Sequence, residues 1–130
     1  MKTTFPALEE LLRYELQGAE RHRRFLSLVM VVSDKSLSVL RSFLGTHIRT
    51  SDVWADADDS LAVLMGETDS GDALLAIDRY KSFFDSQVDL RFSVVTYPID
   101  GGKPEGLFEV ARRRLEDAKV GAEGAVITTD

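Results

Sequence analysis

Cysteine is absent from this 130-residue chain. That excludes a disulfide framework, a thiolate metal site and a cysteine nucleophile. Histidine is nearly absent: His22 and His47 stand far apart, with no HExxH-type pair. A histidine-based zinc site is therefore excluded too, and no cofactor is expected. Long apolar runs are missing, and none approaches the ~20 residues needed to span a bilayer. The opening MKTTFPALEELLRYEL lacks the basic-then-apolar pattern of a signal peptide, so a cytoplasmic protein without a membrane span is expected. Positive charge is in deficit, with 16 Lys and Arg against 22 Asp and Glu, a net charge of -6 and a pI near 4.9. This balance argues against a nucleic-acid partner, since sequence-blind binding relies on phosphate neutralisation.

What is present suits one soluble globular domain over residues 1–130, with 44% hydrophobic and 29% charged side chains. The charge is uneven: residues 1–49 hold eight basic and five acidic side chains, and residues 50–130 hold eight and 17. Arg21, Arg23 and Arg24 supply much of the early basic excess. They read as a solvated helix end complementing the helix dipole, or as a small polyanion patch; three arginines favour the former.

Leu8, Leu11, Leu12, Leu16 and Ala19 recur at helical spacing and predict an amphipathic helix over 6–22. FLSLVMVV, residues 25–32, is short, apolar and β-branched at its end, which predicts a strand buried on both faces. Ser33, Asp34 and Ser36 offer cap chemistry, and Leu37, Leu40, Leu44 and Ile48 mark a second helix. Strands at 53–55 and 61–65 flank the acidic turn 56–60 as a hairpin. Asp69 and Ser70 can cap a third helix with Ala73, Ile77, Tyr80 and Phe84 inward. Residues 88–97 alternate as a strand, ended by Pro98 and Asp100-Gly101-Gly102. Pro104 opens a last helix with Leu107, Ala111, Leu115 and Ala118 inward; Gly121 stops it, and 125–127 offer a final strand. The order α-β-α-β-β-α-β-α-β predicts an α+β sandwich of the ferredoxin-like type, with helices flanking a five-stranded, mostly antiparallel sheet.

Four stretches then become recognisable in order and spacing. Arg49-Thr-Ser-Asp52-Val-Trp-Ala, the acidic hairpin, Leu61-Ala-Val-Leu-Met and Glu67-Thr-Asp resemble the centre of a GGDEF domain. That family, the diguanylate cyclases, makes cyclic di-GMP from two GTP. Ala19-Glu-Arg21 with Leu26-Ser-Leu-Val-Met-Val resembles the family's first helix and strand. Val94-Val-Thr-Tyr-Pro-Ile-Asp-Gly101 resembles its "TYPxDG" turn, and Leu107, Ala111, Leu115 and Ala118-Lys119 resemble its last helix. The resemblance covers most of the chain and implies a nucleotide-cyclase-like sandwich.

The departures bear on function. A cyclase activates a ribose 3′-hydroxyl with divalent ions held by carboxylates. The family's strand-end metal aspartate falls at Val32. The signature falls on Ala57-Asp58-Asp59-Ser60-Leu61, with one residue missing just before it. Asp59 keeps the third-position carboxylate, whereas Ser60 replaces the following glutamate, and Ala57 and Asp58 replace glycines that let backbone approach triphosphate. The segment between the first strand and Arg49 is about half the family's length and lacks the guanine-binding stretch. Lys119 stands where the family contacts phosphate, but the "GRN" that follows there has become Gly121-Ala-Glu123. The resemblance is thus to a degenerate, truncated GGDEF domain, with no catalytic residue and no metal ligand expected.

Other candidate residues carry bland readings. Asp34 is expected to cap a helix, Asp58 and Asp59 to decorate an exposed turn, and Trp54 to sit in the core or on an edge strand. Arg112, Arg113 and Arg114 are expected on the wet face of the last helix, and Lys119 to complement that helix's dipole. Ser93 has no His–Asp pairing to make it a nucleophile.

The family's inhibitory site is an Arg-x-x-Asp shortly before the signature, helped by an arginine on the following helix. Arg49, Asp52 and Arg79 fall on those positions, so the resemblance implies cyclic di-GMP as ligand. A guanidinium fork suits phosphate or a guanine edge, and a carboxylate accepts from guanine N–H groups. Mutual pairing of Arg49 with Asp52 is the plainer reading of the same residues. Two functions therefore stand open: an inactive regulatory domain that binds cyclic di-GMP, or a ligand-free module that binds a protein partner or its own copy as a homodimer. An active cyclase is the third and weakest.

Overall fold

The computed structural model describes residues 6–84 and 88–130. Helix α1 spans Pro6–His22, strand β1 Leu26–Ser33 and helix α2 Leu37–Leu44. Strands β2 (Val53–Ala57) and β3 (Ser60–Gly66) precede α3 (Ser70–Phe83). Strand β4 (Leu90–Tyr97), α4 (Pro104–Lys119) and β5 (Val126–Ile127) complete the chain. The order is the one the periodicity predicts, and the sheet runs β2-β3-β1-β4-β5 with only the β4–β5 pair parallel. No described helix is long and apolar enough to cross a membrane.

Alternation along the central strand builds both halves of the core. Leu28 and Met30 of β1 face one way and join Leu12, Leu16, Leu64, Val95 and Leu115, which bury α1 and α4. Val29 and Val31 face the other way and join Leu40, Leu44, Met65, Ile77 and Phe92, which bury α2 and α3. A strand with partners on both edges and helices on both faces has no wet side, hence its continuous apolar run.

Helix α2 stops at Leu44, short of the expected Ile48. Thr46 Oγ1 donates to the Phe43 carbonyl at 2.9 Å, and the chain turns there instead of continuing the helix. Gly45 lies against Trp54: a Cβ at this position would stand 3.3 Å from the indole ring and 2.8 Å from the Arg41 carbonyl. Trp54 is half-buried on the edge strand β2 and packs on the second core half, as its strand preference suggests.

Arg114 corrects the expectation of a uniformly wet arginine face. Its side chain is buried, donating to Val94 O at 2.8 Å, Asp100 Oδ1 at 3.0 Å and Asp130 Oδ1 at 3.1 Å. Burial works against its charge, but the hydrogen bonds and fields of Asp100 and Asp130 outweigh that and hold its pKa above the usual arginine value. Arg113 remains half-exposed on Asp130.

Candidate functional sites

The β2–β3 hairpin turns through two residues, since Ala57 already pairs with Ser60. Asp58 takes the left-handed region, at φ 64°, which aspartate tolerates better than most residues. Ser60 is buried, and its hydroxyl donates back to Ala57 O at 2.6 Å, so it closes the turn rather than facing solvent. Asp59 reaches the end of α4, where Lys119 Nζ stands 3.2 Å from Oδ2 and 3.4 Å from Oδ1. Glu116 pairs with the same ammonium at 2.8 Å. Burial lowers the Lys119 pKa, but Glu116 and Asp59 together hold it above the usual lysine value. Asp59 is thus an ion-pair partner as well as a turn residue, and Lys119 serves it in addition to the helix end. A groove of about 340 Å³ runs beside the turn, with Asp58, Asp59, Arg112, Arg113 and Lys119 on its walls.

Behind Asp59, a second hollow of about 210 Å³ is bounded by Val32, Asp34, Asp89, Arg91 and Lys119. Val32 sits opposite Arg91 in the β1–β4 register. Arg91 is tied to three carbonyls at the end of α4, with Nη1 3.1 Å from Ala118 O, 2.7 Å from Lys119 O and 2.8 Å from Gly121 O. Its Nε donates to Asp89 Oδ2 at 2.9 Å, and Asp89 Oδ1 accepts from the Gly124 amide at 2.8 Å. Asp34 accepts from the Asp89 amide at 3.1 Å; it braces the start of β4 and does not cap α2. The α2 cap is Ser36, which accepts from Val39. The acids here are consumed by internal cations and amides. Among the described residues no group of three potential metal-binding side chains forms.

The second candidate lies on the loop before β2. Arg49 spans Asp52 as a fork, with Nε 3.3 Å from Oδ2 and Nη2 3.0 Å from Oδ1. Nη2 also reaches Thr68 Oγ1 at 3.3 Å, and Thr68 in turn donates to Gly66 O. The pair is lopsided: the Asp52 side chain is 1% exposed and that of Arg49 50%. The hydrogen bond and charge of Asp52 hold the Arg49 pKa above the usual value. Arg79 projects from the exposed side of α3, its guanidinium carbon 5.5 Å from the Tyr80 ring centroid. Burial pushes the Tyr80 pKa up, with the charge of Asp52 adding to it and Arg79 and Arg49 opposing.

No protein-family model and no curated protein sequence matches the chain. Solved structures do. The GGDEF domain of YfiN (TpbB) from Pseudomonas aeruginosa superposes with a TM-score of 0.81 at 22% identity, over 96% of this chain and 88% of that one. The chain has the GGDEF-domain fold. The active GGEEF domain of a diguanylate cyclase from Vibrio cholerae follows it over 100% of this chain and 99% of its own, at 12% identity and a TM-score of 0.77. The GGDEF domain of DgcB from Caulobacter crescentus, in complex with c-di-GMP, gives 0.79 at 11% identity over 95% and 88%.

The expected mutual pairing of Arg49 with Asp52 is what the structure contains. Sequence reading missed one partner of that pair, Thr68. Thr68 stands in the Glu67-Thr-Asp turn already matched to the family, so its proximity was readable.

Proposed function

We propose that this single GGDEF-fold domain is a catalytically inactive regulatory unit of the cytoplasm that binds cyclic di-GMP through Arg49, Asp52 and Arg79. The observation that carries the reading is the lopsided Arg49–Asp52 fork. A buried carboxylate holds a half-exposed guanidinium at the mouth of a loop, with a second arginine on the adjacent helix. Such a planar fork suits phosphate, and the carboxylate suits guanine N–H donors. The complex of the DgcB domain with c-di-GMP is consistent with a ligand of this class on this fold. Three features support inactivity. Val32 offers no ligand atom at the strand end, Ser60 spends its hydroxyl on the turn, and Asp59 is paired with Lys119. A catalytic unit that lacks several members at once keeps only residual activity.

Calorimetry with cyclic di-GMP, GTP and a control dinucleotide tests the ligand. Cyclic di-GMP binds the wild-type chain, and Arg49→Ala weakens binding by about 1.5–3 kcal/mol through lost charged hydrogen bonds. No binding at high micromolar ligand, or binding indifferent to Arg49→Ala combined with Asp52→Ala, refutes the receptor reading. Incubation with GTP and magnesium followed by chromatography tests inactivity; clear magnesium-dependent dinucleotide refutes it.

One observation favours the second reading, a ligand-free docking module for a protein partner or a second copy. Phe43 and Phe83, both partly exposed, sandwich His47, which stacks on Phe83 with centroids 3.9 Å apart and lies 5.2 Å from Phe43. Aromatic surface of this kind is common at interfaces.

A further inference from the structure

Three buried polar residues, Ser27, Thr68 and Thr96, form a hydrogen-bonded row that ends on Arg49. Ser27 of β1 stands opposite Thr96 of β4 and two residues before Val29, so both hydroxyls lie on the side of the sheet that α3 covers. Ser27 Oγ donates to the Thr68 carbonyl at 2.8 Å and stands 2.9 Å from Thr96 Oγ1. A serine hydroxyl has one proton, and Ser27 spends it on Thr68, so Thr96 is the donor in the second bond. Thr68 is held at its other end as well. Its hydroxyl donates to Gly66 O at 2.8 Å and accepts from Arg49 Nη2 at 3.3 Å.

What this row holds is a strained turn. Glu67 lies in the left-handed region, at φ 53°. Glutamate is disfavoured there, and such a conformation persists only where its surroundings over-determine it. The Glu67 side chain offers little hold, since its ion pair with Arg24 is exposed on both sides. Two bonds of Thr68 supply the hold instead: the one to Gly66 O spans Glu67, and the one from Ser27 anchors the turn to β1. The same turn leads through the cap residue Asp69 into α3, the helix that carries Arg79. We propose that Ser27 is a positioning residue of the Arg49 site: its hydroxyl pins the strained turn at 66–69, and the turn sets Thr68 against Arg49. Its part in ligand binding rests on the receptor reading above. Without the serine proton the Glu67 backbone relaxes, Thr68 leaves Arg49, and the guanidinium keeps only its bonds to Asp52.

Proton exchange at Arg49 Nε, followed by NMR in the ligand-free chain, reports how firmly the guanidinium is held. Ser27→Ala speeds this exchange about tenfold over wild type. Adding Glu67→Gly removes the need for the clamp, because glycine adopts φ 53° freely, and returns the rate to within about twofold of wild type. A serine that only packs leaves a defect that glycine at 67 does not repair. Exchange unmoved by Ser27→Ala, or still fast when Glu67→Gly is added, overturns the proposal. Should Ser27→Ala not fold, Ser27→Cys carries the same comparison with a weaker donor of similar size. Calorimetry adds the ligand arm: Ser27→Ala weakens cyclic di-GMP binding about tenfold, and Glu67→Gly restores it. Binding by Ser27→Ala equal to wild type overturns the proposal while leaving the receptor reading standing. Exchange that moves and is rescued as stated, in a chain that binds no cyclic di-GMP, overturns the receptor reading and supports the positioning itself.

Discussion

Arg114→Leu is the sharpest perturbation of the fold available in this chain. The substitution keeps an apolar stem in a buried place but removes three hydrogen bonds at once, to Val94 O, Asp100 and Asp130. Asp100 retains the Thr96 amide at 2.8 Å, so it is not wholly abandoned, whereas the Val94 carbonyl loses a buried donor. Removing one partner of a buried charged network typically costs about 3–5 kcal/mol. A domain of this size has a total stability of roughly 5–15 kcal/mol, so the variant sits near the edge of folding. Urea titration followed by circular dichroism should show a lower midpoint at unchanged slope, and the melting temperature should fall by about 10–20 °C. Arg112→Ala and Arg113→Ala are the internal controls; as changes at more exposed positions of the same helix they should stay within about 1 kcal/mol of wild type. If Arg114→Leu also stayed within that margin, the buried network would be ornamental and the reasoning wrong.

The acid limb of stability should depend on Asp89. The Arg91 hydrogen bond, with the Gly124 amide and nearby charges, outweighs burial and holds its carboxyl below the ordinary 3.8. A depressed folded pKa stabilises above the unfolded value and is lost as pH falls through the folded one. Stability should thus decline below about pH 4, and Asp89→Asn should flatten that decline in pH-dependent urea midpoints. Val32→Asp should not create a cyclase: the new carboxylate enters a hollow already furnished with Arg91 and Lys119. Chromatography of a GTP incubation should show no dinucleotide.

The alternation of β1 and the caps at Ser36 and Asp69 were legible in the sequence because each depends on neighbours a few residues away. The order of elements along the chain followed from the hairpin and the helical spacers, whereas the order of strands within the sheet came only with the structure. Arg114 was not legible, since three consecutive arginines look alike until the helix is rotated against β4. Asp34 looked like a cap because the Asp89 amide that claims it lies 55 residues away. At the candidate ligand site, the Arg49–Asp52 pair is a local pattern, but the Arg49–Thr68 hydrogen bond joins positions on either side of the hairpin and exists only in the folded chain.

The ion pair between Asp59 and Lys119 has one more implication. A divalent ion at a carboxylate comes and goes with its concentration in solution, whereas an ammonium carried by α4 is present at a fixed effective concentration. The charge at the hairpin tip is thus met from within the fold, by a lysine that α4 delivers whatever the ions in solution.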